Sequence, residues 1–122
     1  NKVVTGSGDN TAKIWNLTTG DLLYTLEGHK NAVLSVAVAG DKVVTGSYDK
    51  TAKIWDPTTG DLLHTLKGHT EAVWSVAITG DKVVTGSGDG TVKIWGLTTG
   101  KLLCTLAEHP IQSDHWDSNL IA

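Results

Sequence analysis

KVVTGSYDKTAKIWDPTTGDLLHTLKGH, running from Lys42 to His69, is the stretch that decides the fold. It returns as Lys82–His109 with 19 of 28 positions identical, and the longer frame Lys42–Asp81 repeats Lys2–Asp41 at 29 of 40. KVVTGS, KIW, TTG and LL-x-TL recur in the same order each time. A fixed period in this range denotes stacked copies of one supersecondary unit, none able to bury its apolar face alone. Function is therefore to be sought where the copies differ.

Within one period the sequence reads as four short strands. Val33–Ala39 alternates apolar and small residues and ends at the turn Gly40-Asp41. Val43–Ser47 is a second β-rich run, closed by Tyr48-Asp49-Lys50. Thr51–Trp55 places Ala52 and Ile54 on one side and Lys53 and Trp55 on the other. Asp56–Gly60 is turn chemistry, and Leu62–Leu66 is the fourth strand. Connections this short imply an antiparallel meander. No helical periodicity persists in the repeats.

Composition excludes several classes. The 122 residues are 39% hydrophobic and 19% charged, which argues against wholesale disorder. No apolar run approaches the ~20 residues that cross a bilayer, so no membrane partner is expected. Net charge is −3, with ten Lys, no Arg and ten acids among residues 1–107; Glu108, Asp114 and Asp117 carry the excess. A near-neutral chain without Arg is a poor fit to a phosphate backbone, so no nucleic acid is expected. The single Cys104 excludes an internal disulfide framework and suits a reducing, cytoplasmic compartment.

Gly28-His29, Asp49 twenty residues on and Trp55 six further resemble the Gly-His…Trp-Asp signature of WD40-repeat β-propellers. Gly68-His69, Asp89 and Trp95 repeat the pattern. The resemblance covers residues 1–109 as three units and implies an all-β propeller of four-stranded antiparallel blades. It also implies a buried hydrogen-bond tetrad in each blade: His29, Thr45, Asp49, Trp55 in one and His69, Thr85, Asp89, Trp95 in the next. Ser47 and Ser87 are alternatives to the two threonines. Trp-Asp itself survives only as Trp55-Asp56, and Gly before His becomes Glu108 in the last copy.

The chain opens inside the repeat, so the first unit has Thr5, Asp9 and Trp15 but neither innermost strand nor His. His109 is followed by the degenerate tail 110–122. Aligning Ser118 with Ser35 makes that tail a candidate closing strand for the first blade of a neighbouring chain, with His109 completing its tetrad; a frayed terminus is the alternative. Three blades span too little arc to close, since propellers use four to eight. Either more chain is missing, or the protein closes head-to-tail into a homo-oligomeric ring, with nine blades in a trimer slightly favoured over six in a dimer because the small Ala/Val/Ser innermost strands resemble those of wide propellers.

His29, His69 and His109 recur once per unit, but each has an Asp and a hydroxyl at tetrad spacing. We therefore expect structural histidines, no metal and no cofactor. A Ser-His-Asp reading of Thr45 or Ser47, His29 and Asp49 needs an exposed nucleophile and an oxyanion hole, and a repeated buried network is the better account. Variable positions include Gly8/Tyr48/Gly88 and Leu34/Trp74. By the resemblance, Ala32, Leu34, Tyr48, Ala72 and Trp74 rim one face and present apolar surface to a protein or peptide; inter-blade packing is the alternative for Leu34 and Trp74. The expected function is a non-enzymatic interaction scaffold, or else an amplified or engineered repeat whose main activity is self-assembly.

Overall fold

The computed structural model describes residues 1–107; His109 and the tail 110–122 lie outside the described residues. Eleven strands follow one another: β1 (Lys2–Gly6), β2 (Ala12–Asn16), β3 (Leu22–Leu26), β4 (Val33–Ala39), β5 (Lys42–Ser47), β6 (Ala52–Trp55), β7 (Leu62–Leu66), β8 (Val73–Thr79), β9 (Lys82–Ser87), β10 (Thr91–Gly96) and β11 (Leu102–Ala107). They form three antiparallel sheets, ordered β1-β2-β3, β4-β5-β6-β7 and β8-β9-β10-β11. The second and third sheets are complete meanders. Among the described residues the first has three strands.

Strand chemistry explains the order. Val, Ile, Thr and Trp fill the paired segments, and Asx and Thr side chains close the turns between them. Asn16 Oδ1 accepts the Thr18 N–H at 2.8 Å and Asp56 Oδ1 accepts the Thr58 N–H at 2.8 Å. The tight turn after β5 requires a left-handed residue, and Lys50 takes it at φ 77°, as Asn10 does in the first unit; Gly90 fills the same place in the third.

The second sheet buries both faces, one against each neighbour. Ala12, Ile14 and Leu26 of the first meet Val33, Val43 and Trp55 of the second. On its other face the second sheet puts Val44, Ala52, Ile54 and Leu66 against Val73, Val76, Val83 and Trp95 of the third. Alternation along β6 thus sends Ile54 forward and Trp55 backward, as the period of two requires. Ser35 Oγ also accepts the Val76 N–H at 3.2 Å, joining the innermost strands.

One local departure matters for function. In the β4–β5 register Val33 pairs with Ser47 and Ser35 with Gly46, which leaves Leu34 as an extra, unpaired residue. Trp74 is bulged in the same way between the Val73–Ser87 and Ser75–Gly86 pairs. A β-bulge re-aims a side chain without disturbing the alternation beyond it.

Candidate functional site

Two buried networks occupy the complete blades. His29 Nδ1 lies 2.8 Å from Asp49 Oδ2, and its Nε2 lies 2.6 Å from Thr45 Oγ1. Trp55 Nε1–H donates to the same Thr45 oxygen at 2.9 Å. A carboxylate only accepts, so Nδ1 carries the proton and Nε2 accepts from the threonine hydroxyl. In the third blade the corresponding distances are 3.0 Å for His69–Asp89, 2.7 Å for His69–Thr85 and 2.9 Å for Trp95–Thr85. Thr45 and Thr85 are wholly buried.

The alternative hydroxyl has a different task. Ser47 Oγ donates to the Ala32 carbonyl at 2.9 Å and accepts the Asp49 N–H at 3.0 Å. It clasps the turn that presents the aspartate, while Thr45 sits in the tetrad.

Electrostatics agree with a neutral imidazole. Burial pushes the His29 ring below its ordinary value, against the pull of Asp49. Burial alone would raise the Asp49 carboxyl, but bonds from the Thr51 hydroxyl, the Lys30 N–H, His29 and the Thr51 N–H outweigh it and hold it at about 2. Asp89 is held low by the equivalent donors of its own blade, the Thr91 hydroxyl, the Thr70 N–H, His69 and the Thr91 N–H.

This chain of hydroxyl, imidazole and carboxylate has the connectivity of an acyl-transfer triad. Its hydroxyl is sealed, and the Trp55 indole already donates to it. A substrate carbonyl has no route to Thr45, so the network serves the blade interior. Both ring nitrogens of His29 and His69 are engaged, and among the described residues no group of three His, Cys, Asp or Glu converges on a common point.

The first blade holds half of such a network. Trp15 Nε1 donates to Thr5 Oγ1 at 3.0 Å, and Asp9 accepts from the Thr11 hydroxyl at 2.6 Å. Thr5 and Asp9 are exposed, and no described histidine bonds to either; the expected partner, His109, lies outside the described residues.

The rim residues divide. Trp74 is 55% exposed and Tyr48 53%, with their rings in edge contact at 6.3 Å between centroids and 71° between planes. Leu34 is exposed as well. Trp74 is therefore largely exposed, while its ring contact with Tyr48 spans the junction between the second and third sheets. Ala32 is half-buried, and Ala72 is buried and adds no surface, contrary to the expectation for it. Backbone pairing is alike at the two positions: the Ala72 carbonyl accepts the Gly88 N–H at 3.1 Å and the Ala32 carbonyl the Tyr48 N–H at 2.9 Å. The bulges that expose Leu34 and Trp74 were not anticipated, although the adjacent apolar pairs Val33-Leu34 and Val73-Trp74 break the strand alternation and signal them.

Sheets of this kind, stacked through shared cores and pinned by a His–Thr–Asp–Trp network, define a propeller repeat protein. Residues 1–16, 20–56 and 60–96 match the family model "WD domain, G-beta repeat", and the chain belongs to that WD-repeat family. Similar proteins include dynein assembly factor with WD repeat domains 1 of Mus musculus, 53% identical over 34 residues, which are 28% of this chain and 8% of that one. Ribosome assembly protein 4 of Saccharomyces cerevisiae is 50% identical over 40 residues, 33% of this chain and 8% of the relative. The match thus spans less than a tenth of either relative's length. Among solved structures, U3-55K superposes with a TM-score of 0.84 at 24% identity, over 88% of this chain and 36% of that one. The computationally designed protein Ika8 superposes with a TM-score of 0.83 at 39% identity, over 89% of this chain and 34% of that chain.

Proposed function

We propose that this WD-repeat module is a non-catalytic interaction scaffold whose rim, built by Leu34, Tyr48 and Trp74, receives a protein or peptide partner. The exposed Tyr48–Trp74 contact carries the reading. Two aromatics meeting edge to face in solvent offer a large, rigid apolar surface, the type of group that dominates binding interfaces. They stand at positions where near-identical copies diverge.

The partner chemistry follows from the same divergence. Between the two junctions Lys30 becomes Thr70, Asn31 becomes Glu71 and Lys50 becomes Gly90. Trp74 and Glu71 both approach Gly88, while Tyr48 stands two residues from Lys50. The exposed faces of Tyr48 and Trp74 suit a Lys- or Arg-bearing peptide, each cation–π contact contributing about 0.5–1 kcal/mol at an exposed site. Selection from a random peptide display library tests this. Basic sequences bound by the intact protein and lost on Trp74→Ala, with melting unchanged, are the expected result; binders indifferent to Trp74 would overturn it.

A second reading, a repeat protein whose main activity is self-association, is favoured by the likeness to the designed protein Ika8 at 39% identity. Light scattering on the full chain distinguishes a ring from a monomer.

A further inference from the structure

We infer that the cleft between the outer strands of the second sheet and the connection 28–30 is a binding site for a phosphate dianion, held by Lys30, Lys53 and Lys67. It is separate from the proposed rim, since none of Leu34, Tyr48 and Trp74 lines it.

Strand register builds the cleft. Lys53 of β6 pairs with Thr65 of β7, and its Nζ donates to the Thr65 hydroxyl at 2.9 Å. Lys67 comes two residues after Thr65, on the same face by the period of two. The Lys53 stem packs beside Gly28, with Cε 3.8 Å from where a Cβ would stand, and the residue is left 8% exposed. With Lys30, Asp49 and Thr51 these residues enclose about 350 Å³. That lies within the ~300–1,000 Å³ of small-ligand sites.

Three ammonium groups share this space with one carboxylate, and that carboxylate is already engaged. Asp49 Oδ2 takes His29 at 2.8 Å and the Lys30 N–H at 3.0 Å, while Oδ1 takes the Thr51 N–H at 2.9 Å and the Thr51 hydroxyl at 2.6 Å. Among the described residues no carboxylate lies within 4.0 Å of the Nζ of Lys30, Lys53 or Lys67. Burial pushes the Lys53 ammonium below its ordinary value; Asp49 pulls it up, and Lys67 and Lys30 push it down again. An ammonium has three donors, and Thr65 takes only one of those on Lys53. A ligand with two negative charges and several oxygens answers both the excess charge and the open donors. A phosphate monoester, at about −1.5 to −2 near pH 7, is such a group, and lysine binds phosphate as a point charge.

The neighbouring blades share the frame without the charge. In the first, Lys13 pairs with Asp9 at 3.7 Å, and Glu27 stands where Lys67 does. In the third, Lys93 reaches Thr105 at 3.0 Å, but Thr70 and Ala107 replace the two outer lysines. The second blade has a sheet on either side, so the shape of its cleft does not depend on where the chain begins or ends.

Free phosphate and a phosphorylated serine of a partner present the same group, and the experiment separates them. The full chain is titrated calorimetrically at low salt with inorganic phosphate, a short neutral phosphoserine peptide, its unphosphorylated form and acetate. The phosphate group is expected to saturate a single site, with neither acetate nor the unphosphorylated peptide binding. Lys67→Glu and Lys30→Thr install the residues that other blades carry at those positions. Each is expected to weaken phosphate binding about tenfold with melting unchanged. Lys101→Thr, which removes an exposed lysine outside the cleft, is expected to leave binding as it was. Tighter binding of the phosphopeptide than of inorganic phosphate assigns the site to phosphorylated partners; the reverse order assigns it to the free ion. Absence of phosphate binding, equal binding of acetate, or binding by folded variants that is indifferent to both Lys30 and Lys67 would overturn the site. Peptide selection at the rim reads Trp74 with unphosphorylated sequences, so the two proposals fail separately.

Discussion

The second blade and the first share most of their sequence yet differ in what that sequence achieves. Thr45 is wholly buried and takes part in two hydrogen bonds, with His29 and Trp55. Thr5, in the same KVVTGS run, is exposed and bonded to Trp15 alone of that set. Lys42–Ser47 is covered by β4 and by both neighbouring sheets; Lys2–Gly6 has β2 on one side. In a repeat protein a residue's stability contribution comes from its neighbours as much as from its own unit. Identical letters therefore have unequal worth.

Substitutions at matched positions give the sharpest test of that inequality. Trp55→Ala removes a side chain left 2% exposed and is expected to destabilise by about 3–5 kcal/mol in chemical denaturation. Trp15→Ala should cost distinctly less in the isolated chain, and equal losses would break the comparison. Next in size, Asp49→Ala strands the buried His29 donor and is expected to cost about 1–3 kcal/mol, whereas Asp9→Ala should have little effect. A shift in melting temperature of similar size for both aspartates would contradict the asymmetry.

Acid should probe the same networks. The unfolded His29 takes up a proton near its ordinary value of 6.5, while the buried native ring resists it. Stability is then complete above that pH and declines as the pH falls through it. A second decline is expected between about 3.8 and about 2, as Asp49 is protonated first in the unfolded chain. Denaturation midpoints across pH 2–8 report both, and Asp49→Asn should shrink the lower step, with Asp89 retaining its share. The smallest effect belongs to the rim. Tyr48→Ala and Trp74→Ala are expected to change stability by about 0.5 kcal/mol or less, as surface positions do, with any larger effect confined to peptide capture.

Most of the fold was legible because the repeat states it three times. β4 and β7 match the segments read from sequence, and β5 and β6 differ by one residue at their starts. Period-two alternation also separates Ile54 from Trp55 correctly, since a strand has only two faces. Thr45 against Ser47 was not decidable, because residues two apart in a strand share a face and both carry hydroxyls. The buried Ala72 and the bulged Trp74 were missed together. An extra residue shifts local facing, and small residues beside it give no cue to which one turns inward.

The bulge at Leu34 and Trp74 has a consequence for how such a chain diversifies. A residue outside the ladder register can be exchanged without asking any partner strand to adjust. Leucine in one copy and tryptophan in the next already occupy that seat, over pairings that are otherwise the same. Duplication of the unit therefore multiplies frame and seat together, and each new seat is free to drift. The molecule can keep its scaffold uniform while its surface acquires individuality one blade at a time.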